Sequence, residues 1–278
     1  MALNPKVFVK RALTTVLGIA LIGGIVLFAP KIYFVLLMIM FTVLGAYEIK
    51  KIAEGFGSSF FLAPVLFCLL IGFLSFYMPF HIGIFPFASF LVCSLWILFA
   101  VKNQRQAFTS LGSHLTGLAY LAAAFFSLIG IFLLESVHSH TSGRDLLVFF
   151  FAIVWCGDSF AYLIGSTLGK HKIAPRISPK KSWEGTIGNL LGNFCAVWIG
   201  KTYFFTFLGT KDVIALALMI FILGFLGDLI ESSWKRGAGI KDSGSIFPGH
   251  GGILDRIDSI FLTGPLFYSY FHFMFHVG

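Results

Sequence analysis

The chain has 278 residues, of which 58% are hydrophobic and 12% are charged. Soluble domains are roughly 25% charged, so this composition excludes an ordinary soluble domain and indicates a polytopic membrane protein. The net charge of +8 is typical of cytoplasmic loops in such a protein, and we expect no nucleic-acid partner.

Nine apolar runs follow one another along the chain, each close to the roughly 20 residues that span a bilayer. A helix satisfies its backbone polar groups internally, so we predict an all-α polytopic membrane protein with nine transmembrane helices. The predicted spans are 12–29, 32–49, 60–79, 84–101, 115–134, 146–165, 185–208, 213–231 and 257–275.

The basic residues predict how these spans are oriented. With the N-terminus in the cytoplasm, 16 of the 20 Lys and Arg residues fall in inside segments. This excess favours an N-in, C-out topology. The two long polar loops, 166–184 and 232–256, then face the cytoplasm.

The first five spans contain few polar groups. Glu48 and Glu54 flank two lysines at the end of the second span, which is typical of a charged cluster at the membrane surface. From Asp158 onward, acidic residues lie inside or against the apolar segments. We therefore predict an N-terminal transmembrane region over 1–140 and a C-terminal catalytic transmembrane region over 141–278, which carries both long loops.

Asp158 lies well inside the sixth predicted span, on the same helix face as Tyr162 four positions later. An ionisable residue at this depth is a functional candidate. Three roles stay open for it: a polar contact to a neighbouring helix, a step in a proton relay, or part of a polar site.

The basic loop 170–184 is predicted to bind phosphate. Basic segments beside a membrane attract anionic lipids in general, but this loop also offers a more specific arrangement. Residues 178–180 are expected to form a turn, Lys180 and Lys181 supply positive charge, and Ser182 caps the helix that follows. Because a helix N-terminus also attracts anions, a phosphorylated lipid would satisfy both interpretations.

The stretch 227–258 concentrates charge between two apolar runs. Asp228 with Glu231, and Asp255 with Asp258, are three positions apart, so we expect each pair to share one helix face. Mg²⁺ prefers carboxylate oxygens and completes its coordination with water and substrate phosphates. The basic and glycine-rich segment that separates the two pairs suits a nucleotide bound beside such an ion.

These residues resemble the signature of the phosphatidate cytidylyltransferase family, also called CDP-diacylglycerol synthases. The segment 178–185 resembles the family too, with Ser182 where threonine is usual, and Trp234 stands where an aliphatic residue is usual. The residues that match the signature are Ser232, Lys235, Arg236, Lys241, Asp242, Pro248, His250, Gly251, Gly252, Asp255, Arg256 and Asp258.

The resemblance implies a reaction of CTP with phosphatidic acid that gives CDP-diacylglycerol and pyrophosphate. It implies a Mg²⁺ cofactor held by Asp228 and Asp255, with a second metal or a monovalent cation near Asp242 or Asp258. The catalytic residues that it implies are Asp228, Lys241, Asp242, His250, Asp255, Arg256 and Asp258. The implied substrate-binding residues are Ser178, Lys180, Lys181, Ser232, Lys235, Arg236, Gly251 and Gly252.

The family also implies a homodimer among membrane lipids, in a bacterial plasma (inner) membrane, with its active site facing the cytoplasm. Two other functions stay open. The acidic residues at membrane depth could serve a transporter or ion pathway, and the same CTP chemistry could belong to a kinase that acts on a polyprenol.

Overall fold

A computed structural model of the protein describes residues 18, 20–75, 84–135, 141–247 and 251–276. They form helices and one two-stranded hairpin. The helices are α1 (20–28), α2 (Lys31–Gly55), α3 (Leu62–Ser75), α4 (Ile84–Ala100), α5 (Gln104–Leu133), α6 (Gly143–Leu168), α7 (Trp183–Tyr203), α8 (Thr210–Gly237), α9 (Leu254–Ile257) and α10 (Ile260–His276).

The helical architecture is confirmed, and each predicted span overlaps a described helix. Within the described residues, α2, α5, α6 and α8 are long and apolar enough to cross a membrane, while α3 and α4 are shorter apolar helices. The ninth predicted span (257–275) corresponds to α10, whereas Asp255 lies in the short helix α9 and Asp258 in the turn between the two helices. The expectation that Asp255 and Asp258 share a helix face is therefore wrong.

The loop before α7 contains the hairpin. Strands β1 (Lys172–Ala174) and β2 (Ser178–Ser182) pair antiparallel, with an irregularity in their register. The predicted turn at 178–180 is wrong, because these residues lie in β2 and the turn occupies 175–177.

The chain divides into two compact units whose segments interleave in sequence. The first contains the described parts of Met1–Ile22, Ile32–Phe126 and Trp234–Ile257. The second contains Gly23–Lys31 and the described parts of Ser127–Ser233 and Asp258–Gly278. The predicted division into a membrane region and a catalytic region concerns function and stays a prediction.

The core of the first unit is formed by apolar side chains on α2, α3 and α5. Phe34, Val65, Leu121 and Phe125 are completely buried there. A Cβ atom at Gly45 would lie 2.8 Å from the Leu121 side chain, so glycine allows α2 and α5 to approach closely. This packing positions the end of α2, which carries Glu48.

In the second unit, α6 and α7 cross closely through glycines. A Cβ atom at Gly188 would lie 2.8 Å from the carbonyl oxygen of Phe160, and one at Gly192 would lie 2.6 Å from that of Cys156. Small residues allow membrane helices to pack backbone against backbone. The crossing fixes the faces of α6 and α7 that carry Asp158 and Asn189.

Candidate active site

In the second unit, the Asp228 carboxylate on α8 accepts hydrogen bonds from two polar side chains. Lys181 at the end of β2 places its Nζ atom 2.7 Å from Asp228 Oδ2, and the Ser232 hydroxyl donates to Oδ1 at 3.0 Å. The Lys181 ammonium also lies 4.8 Å from the centre of the Phe225 ring. Asp228, Lys181 and Ser232, all predicted site residues, therefore lie together.

Three further carboxylates belong to this cluster. Asp258 is close enough to interact electrostatically with Asp228, Glu231 and Asp158. The Asn189 amide donates to Asp158 Oδ1 at 3.3 Å. Asp158 thus makes a polar contact to a neighbouring helix, the first of the three roles that the sequence left open, and it also lies near the other carboxylates of this cluster. Asn189 is not among the predicted site residues. The one feature of the sequence that could have identified it is a polar side chain within the predicted apolar span 185–208.

The donors in this cluster are of the kind that a hard cation requires. Carboxylate oxygens are the preferred protein ligands of Mg²⁺. However, no group of three or more His, Cys, Asp and Glu side chains in the described part of the chain is already arranged to hold a metal ion. An ion here would therefore depend on water and substrate oxygens for much of its coordination.

The hairpin is fixed to the start of α7. The Ser182 hydroxyl accepts the Gly185 N–H at 3.2 Å, so the predicted helix cap is confirmed. Glu184 accepts the backbone N–H and the ring Nδ1 of His171. Its own backbone N–H and the His171 side chain lower the pKa of Glu184 to about 2. Lys180 is exposed on β2, and Ser178 is half-buried.

A Ser182→Ala variant is expected to lower the free energy of unfolding by about 1 kcal/mol, because the Gly185 N–H loses its cap. Ser182→Thr keeps the hydroxyl and should stay close to wild type. Thermal unfolding in detergent measures both variants. Equal losses for alanine and threonine would show that packing around residue 182, and not the cap, determines the effect.

In the first unit, Asp255 is surrounded by hydrogen-bond donors. Its Oδ1 atom pairs with the Lys235 ammonium, and its Oδ2 atom accepts the N–H groups of Ser243 and Gly252 at 2.9 and 2.8 Å. The Ser243 hydroxyl lies 2.9 Å from the same Oδ2 atom. Burial acts to raise the pKa of Asp255, but the Gly252 N–H, Lys235 and the Ser243 N–H together hold it below its ordinary value. Asp255 is therefore anionic at neutral pH.

Glu48 on α2 belongs to the same cluster. Its side chain is buried, with 2% exposure, and it accepts the Ser243 hydroxyl and the N–H groups of Ile253 and Leu254. The prediction of a charged surface cluster is wrong for Glu48, although the exposed Glu54 does pair with Lys50 at 3.7 Å.

The other predicted residues in 235–258 differ in accessibility. Gly251 has a φ of +79°, which favours glycine, and Gly252 is buried. Pro248 and His250 lie outside the described residues. The exposed candidates are Arg236, Lys241, Asp242 and Arg256. Because Asp228 and Asp255 belong to different units, their shared metal site stays a prediction.

Sequence comparisons connect this chain with cytidylyltransferases. It is 44% identical over 140 residues to a Haemophilus influenzae protein named phosphatidate cytidylyltransferase, a match that covers 49% of this chain and 48% of that protein. Proteins of the same name from Staphylococcus aureus (strain COL) and Staphylococcus epidermidis (strain RP62A) are 40% identical over 181 residues and 35% identical over 178, each covering 64% of both chains.

The matches thus span between about half and just under two thirds of the length of these curated relatives. A family model described as "Cytidylyltransferase family" matches residues 9–274, which is nearly the whole chain. The chain belongs to the cytidylyltransferase family.

Proposed function

We propose that this chain transfers CMP from CTP to phosphatidic acid, giving CDP-diacylglycerol and pyrophosphate. The main support is the 40–44% identity to relatives named phosphatidate cytidylyltransferase. The signature residues Lys235, Gly252 and Asp255 also form one hydrogen-bonded cluster. Such a cluster is a reason to expect chemistry at this part of the chain.

The proposed reaction needs no nucleophile from the protein. A phosphate oxygen of phosphatidic acid forms a new bond to the α-phosphorus of CTP, while the bond from that phosphorus to the bridging oxygen of the β-phosphate breaks. The electron pair leaves with pyrophosphate. Ser232, whose hydroxyl donates to Asp228, is oriented by that carboxylate and is not assigned a covalent role. Catalysis then depends on positioning and on stabilisation of charge.

The basic side chains fall into two groups with different tasks. Arg236, Lys241 and Arg256 are exposed, and we assign them to the triphosphate. Lys180 and Lys181 are assigned to the phosphate of the lipid, with Ser178 beside them on β2. A cation placed where negative charge develops lowers the barrier most when it is already fixed. The contact of Lys181 with Asp228 provides such fixing.

Mg²⁺ is the proposed cofactor, because the acidic cluster offers the hard oxygen ligands that it prefers. Asp228 would hold the ion, together with Asp255 as the resemblance implies. Asp242 or Asp258 would serve a second metal or a monovalent cation. When bound, such an ion polarises a phosphoryl oxygen and neutralises developing charge.

We place the protein in a bacterial plasma (inner) membrane as a homodimer with nine spans, N-in and C-out. The four long apolar helices support the membrane assignment, and the distribution of Lys and Arg supports the orientation. In this topology the loops 166–184 and 232–256 face the cytoplasm, where CTP is available.

The purified protein is expected to incorporate label from CTP into lipid only when phosphatidic acid and Mg²⁺ are both present. The measurement is extraction of labelled lipid with and without phosphatidic acid, and with and without EDTA. α-Labelled CTP should yield labelled lipid, whereas γ-labelled CTP should yield labelled pyrophosphate, because the bond between the α- and β-phosphates breaks.

Three results would contradict the proposal. Transfer of the γ-phosphate to a polyprenol would identify a kinase instead of a cytidylyltransferase. Cation flux in proteoliposomes without CTP, combined with the absence of labelled lipid, would favour a transporter. An unlabelled lipid fraction in the presence of Mg²⁺, CTP and phosphatidic acid would by itself exclude the proposed reaction.

A further inference from the structure

The buried carboxylate of Glu48 binds the segment that carries the signature residues. Its Oε1 atom accepts the Ile253 N–H at 3.0 Å, and its Oε2 atom accepts the Leu254 N–H at 2.9 Å and the Ser243 hydroxyl at 2.7 Å. The two N–H groups belong to the start of α9, which begins at Leu254. Glu48 therefore holds Ser243 together with Ile253 and Leu254.

Gly252 and Gly244 both lie directly against the Glu48 carboxylate. A Cβ atom at either glycine would overlap the Glu48 carboxylate. Gly252 is not among the glycines with positive φ, so its backbone conformation alone would accept a side chain. The Glu48 carboxylate therefore occupies the space that a side chain at residue 252 would need.

The network continues from Glu48 to the predicted catalytic residues. The Ser243 hydroxyl has one proton, which Glu48 at 2.7 Å and Asp255 at 2.9 Å share, and the Ser243 N–H donates to Asp255 at 2.9 Å. Asp255 in turn pairs with Lys235. Both Glu48 and Ser243 are only 2% exposed, so water cannot easily replace these bonds. A shift of the Glu48 carboxylate would displace Ser243 and, through it, Asp255.

Stability alone does not require a carboxylate at this position. Burying an ionised group has a large dehydration cost. A protein in which apolar residues replace a buried ionic cluster is often as stable as the original protein. The carboxylate instead fixes the relative positions of three donors, because it accepts hydrogen bonds from all three at once. Buried, fully bonded polar groups of this kind fix a single arrangement.

We propose that Glu48 is a positioning residue of the candidate active site, which holds Ser243, Ile253 and Leu254 and thereby sets the place of Asp255. This inference rests on the proposed function. It adds a residue from the N-terminal part of the chain to a site that the sequence signature confines to the C-terminal part.

The first test compares Glu48→Gln with Glu54→Gln, a matched change on the same helix at an exposed position. Glu48→Gln places an amide NH₂ against a hydrogen-bond donor. We expect kcat to fall by about 10- to 100-fold, the usual effect of mutating a residue that orients a metal ligand. The KM for CTP should change little, and the Mg²⁺ concentration that gives half-maximal activity should rise. Glu54→Gln should behave as wild type.

Hydrogen exchange provides a readout that does not depend on activity. In Glu48→Gln the amides of Ile253 and Leu254 should lose protection, whereas exchange in α6 and α7 should not change. Wild-type protection of these two amides in Glu48→Gln would overturn the inference. Lost protection with wild-type kcat and Mg²⁺ dependence would also overturn it, since Glu48 would then be structural only.

A double-mutant cycle tests the steric argument. Gly252→Ala should lower kcat in the wild-type background, because the new Cβ displaces the Glu48 carboxylate. In a Glu48→Ala background the same change should have a much smaller effect, since the two groups compete for one space. Equal effects in both backgrounds would contradict the assignment. If Glu48→Gln does not fold, Ser243→Ala, which removes one bond of the network, takes its place in both assays.

Failure of the proposed function is distinguishable from failure of this inference. A wild-type protein that forms no labelled lipid would refute the reaction, and the exchange measurement would still decide whether Glu48 holds Ile253 and Leu254. An active wild type with an unaffected Glu48→Gln variant would leave the reaction in place and refute the positioning role.

Discussion

An Asp228→Asn variant is expected to lose CTP incorporation by about a thousand-fold or more while still folding. Asparagine keeps an oxygen for the Ser232 hydroxyl but removes the negative charge that faces Lys181. It also removes an anionic ligand of the proposed Mg²⁺. A bound metal contributes several kcal/mol of charge stabilisation, and each ~1.4 kcal/mol changes the rate tenfold. Labelled-lipid formation measures the loss, and size-exclusion chromatography confirms that the variant is folded.

Asp212→Asn is the matched control on the same helix. Asp212 lies in the first turn of α8 and accepts the Gly209 N–H at 2.6 Å and the Tyr270 hydroxyl at 2.5 Å. The amide oxygen of asparagine can accept the Gly209 N–H while its NH₂ donates to the Tyr270 hydroxyl oxygen, so both contacts can be kept and the rate should stay close to wild type. A wild-type rate in Asp228→Asn would remove Asp228 from the proposed metal site. An equal loss in both variants would indicate a general effect of charge on α8.

Gly192→Ala is expected to lower the free energy of unfolding by about 1–3 kcal/mol, the usual cost of an added methyl group in a full interior. The new Cβ would lie 2.6 Å from the Cys156 carbonyl oxygen and 2.9 Å from the Gly157 Cα atom. Both obstacles belong to the α6 backbone, which cannot rotate away as a side chain can. The helices must therefore separate, and thermal unfolding in detergent should show a lower Tm.

Gly112→Ala supplies the control, because a Cβ at this position of α5 meets nothing within 4 Å. Alanine in a helix interior is favoured over glycine by roughly 0.5–1 kcal/mol, so this variant should be as stable as wild type or more stable. If Gly192→Ala were also stabilised, helix propensity would outweigh the close crossing, and the glycines of α6 and α7 would not determine how these helices pack.

The positions of the helices were predictable because hydropathy is a local property of the sequence. The Ser182 cap was predictable for the same reason, since a cap depends on residues three positions apart. The hairpin was not, because β2 (Ser178–Ser182) contains proline and lysine and lacks the alternating apolar pattern of a strand. The break between α9 and α10 was also missed, since Ile257 and Ile260 continue the apolar run.

The candidate site could be proposed from the sequence where its residues cluster, and not where they are distant. Asp228, Lys235 and Asp255 belong to one short stretch with a recognisable spacing. Glu48 binds partners 195 to 206 positions away, so no local pattern could connect them. The two lysines that follow Glu48 predicted that it lies at the membrane surface instead. The one available signal was a carboxylate three residues after Gly45, within an apolar run.

The interleaved first unit has a consequence for the order of events during synthesis. Ribosomes add about 5–20 residues each second, so the 195 residues from Glu48 to Ser243 take on the order of 10–40 s to make. During this interval Glu48 is without the three donors that hold it in the finished protein. The Glu48 carboxylate therefore cannot form these hydrogen bonds until Ser243, Ile253 and Leu254 have been made, and a chain that ends before Ser243 lacks all three donors.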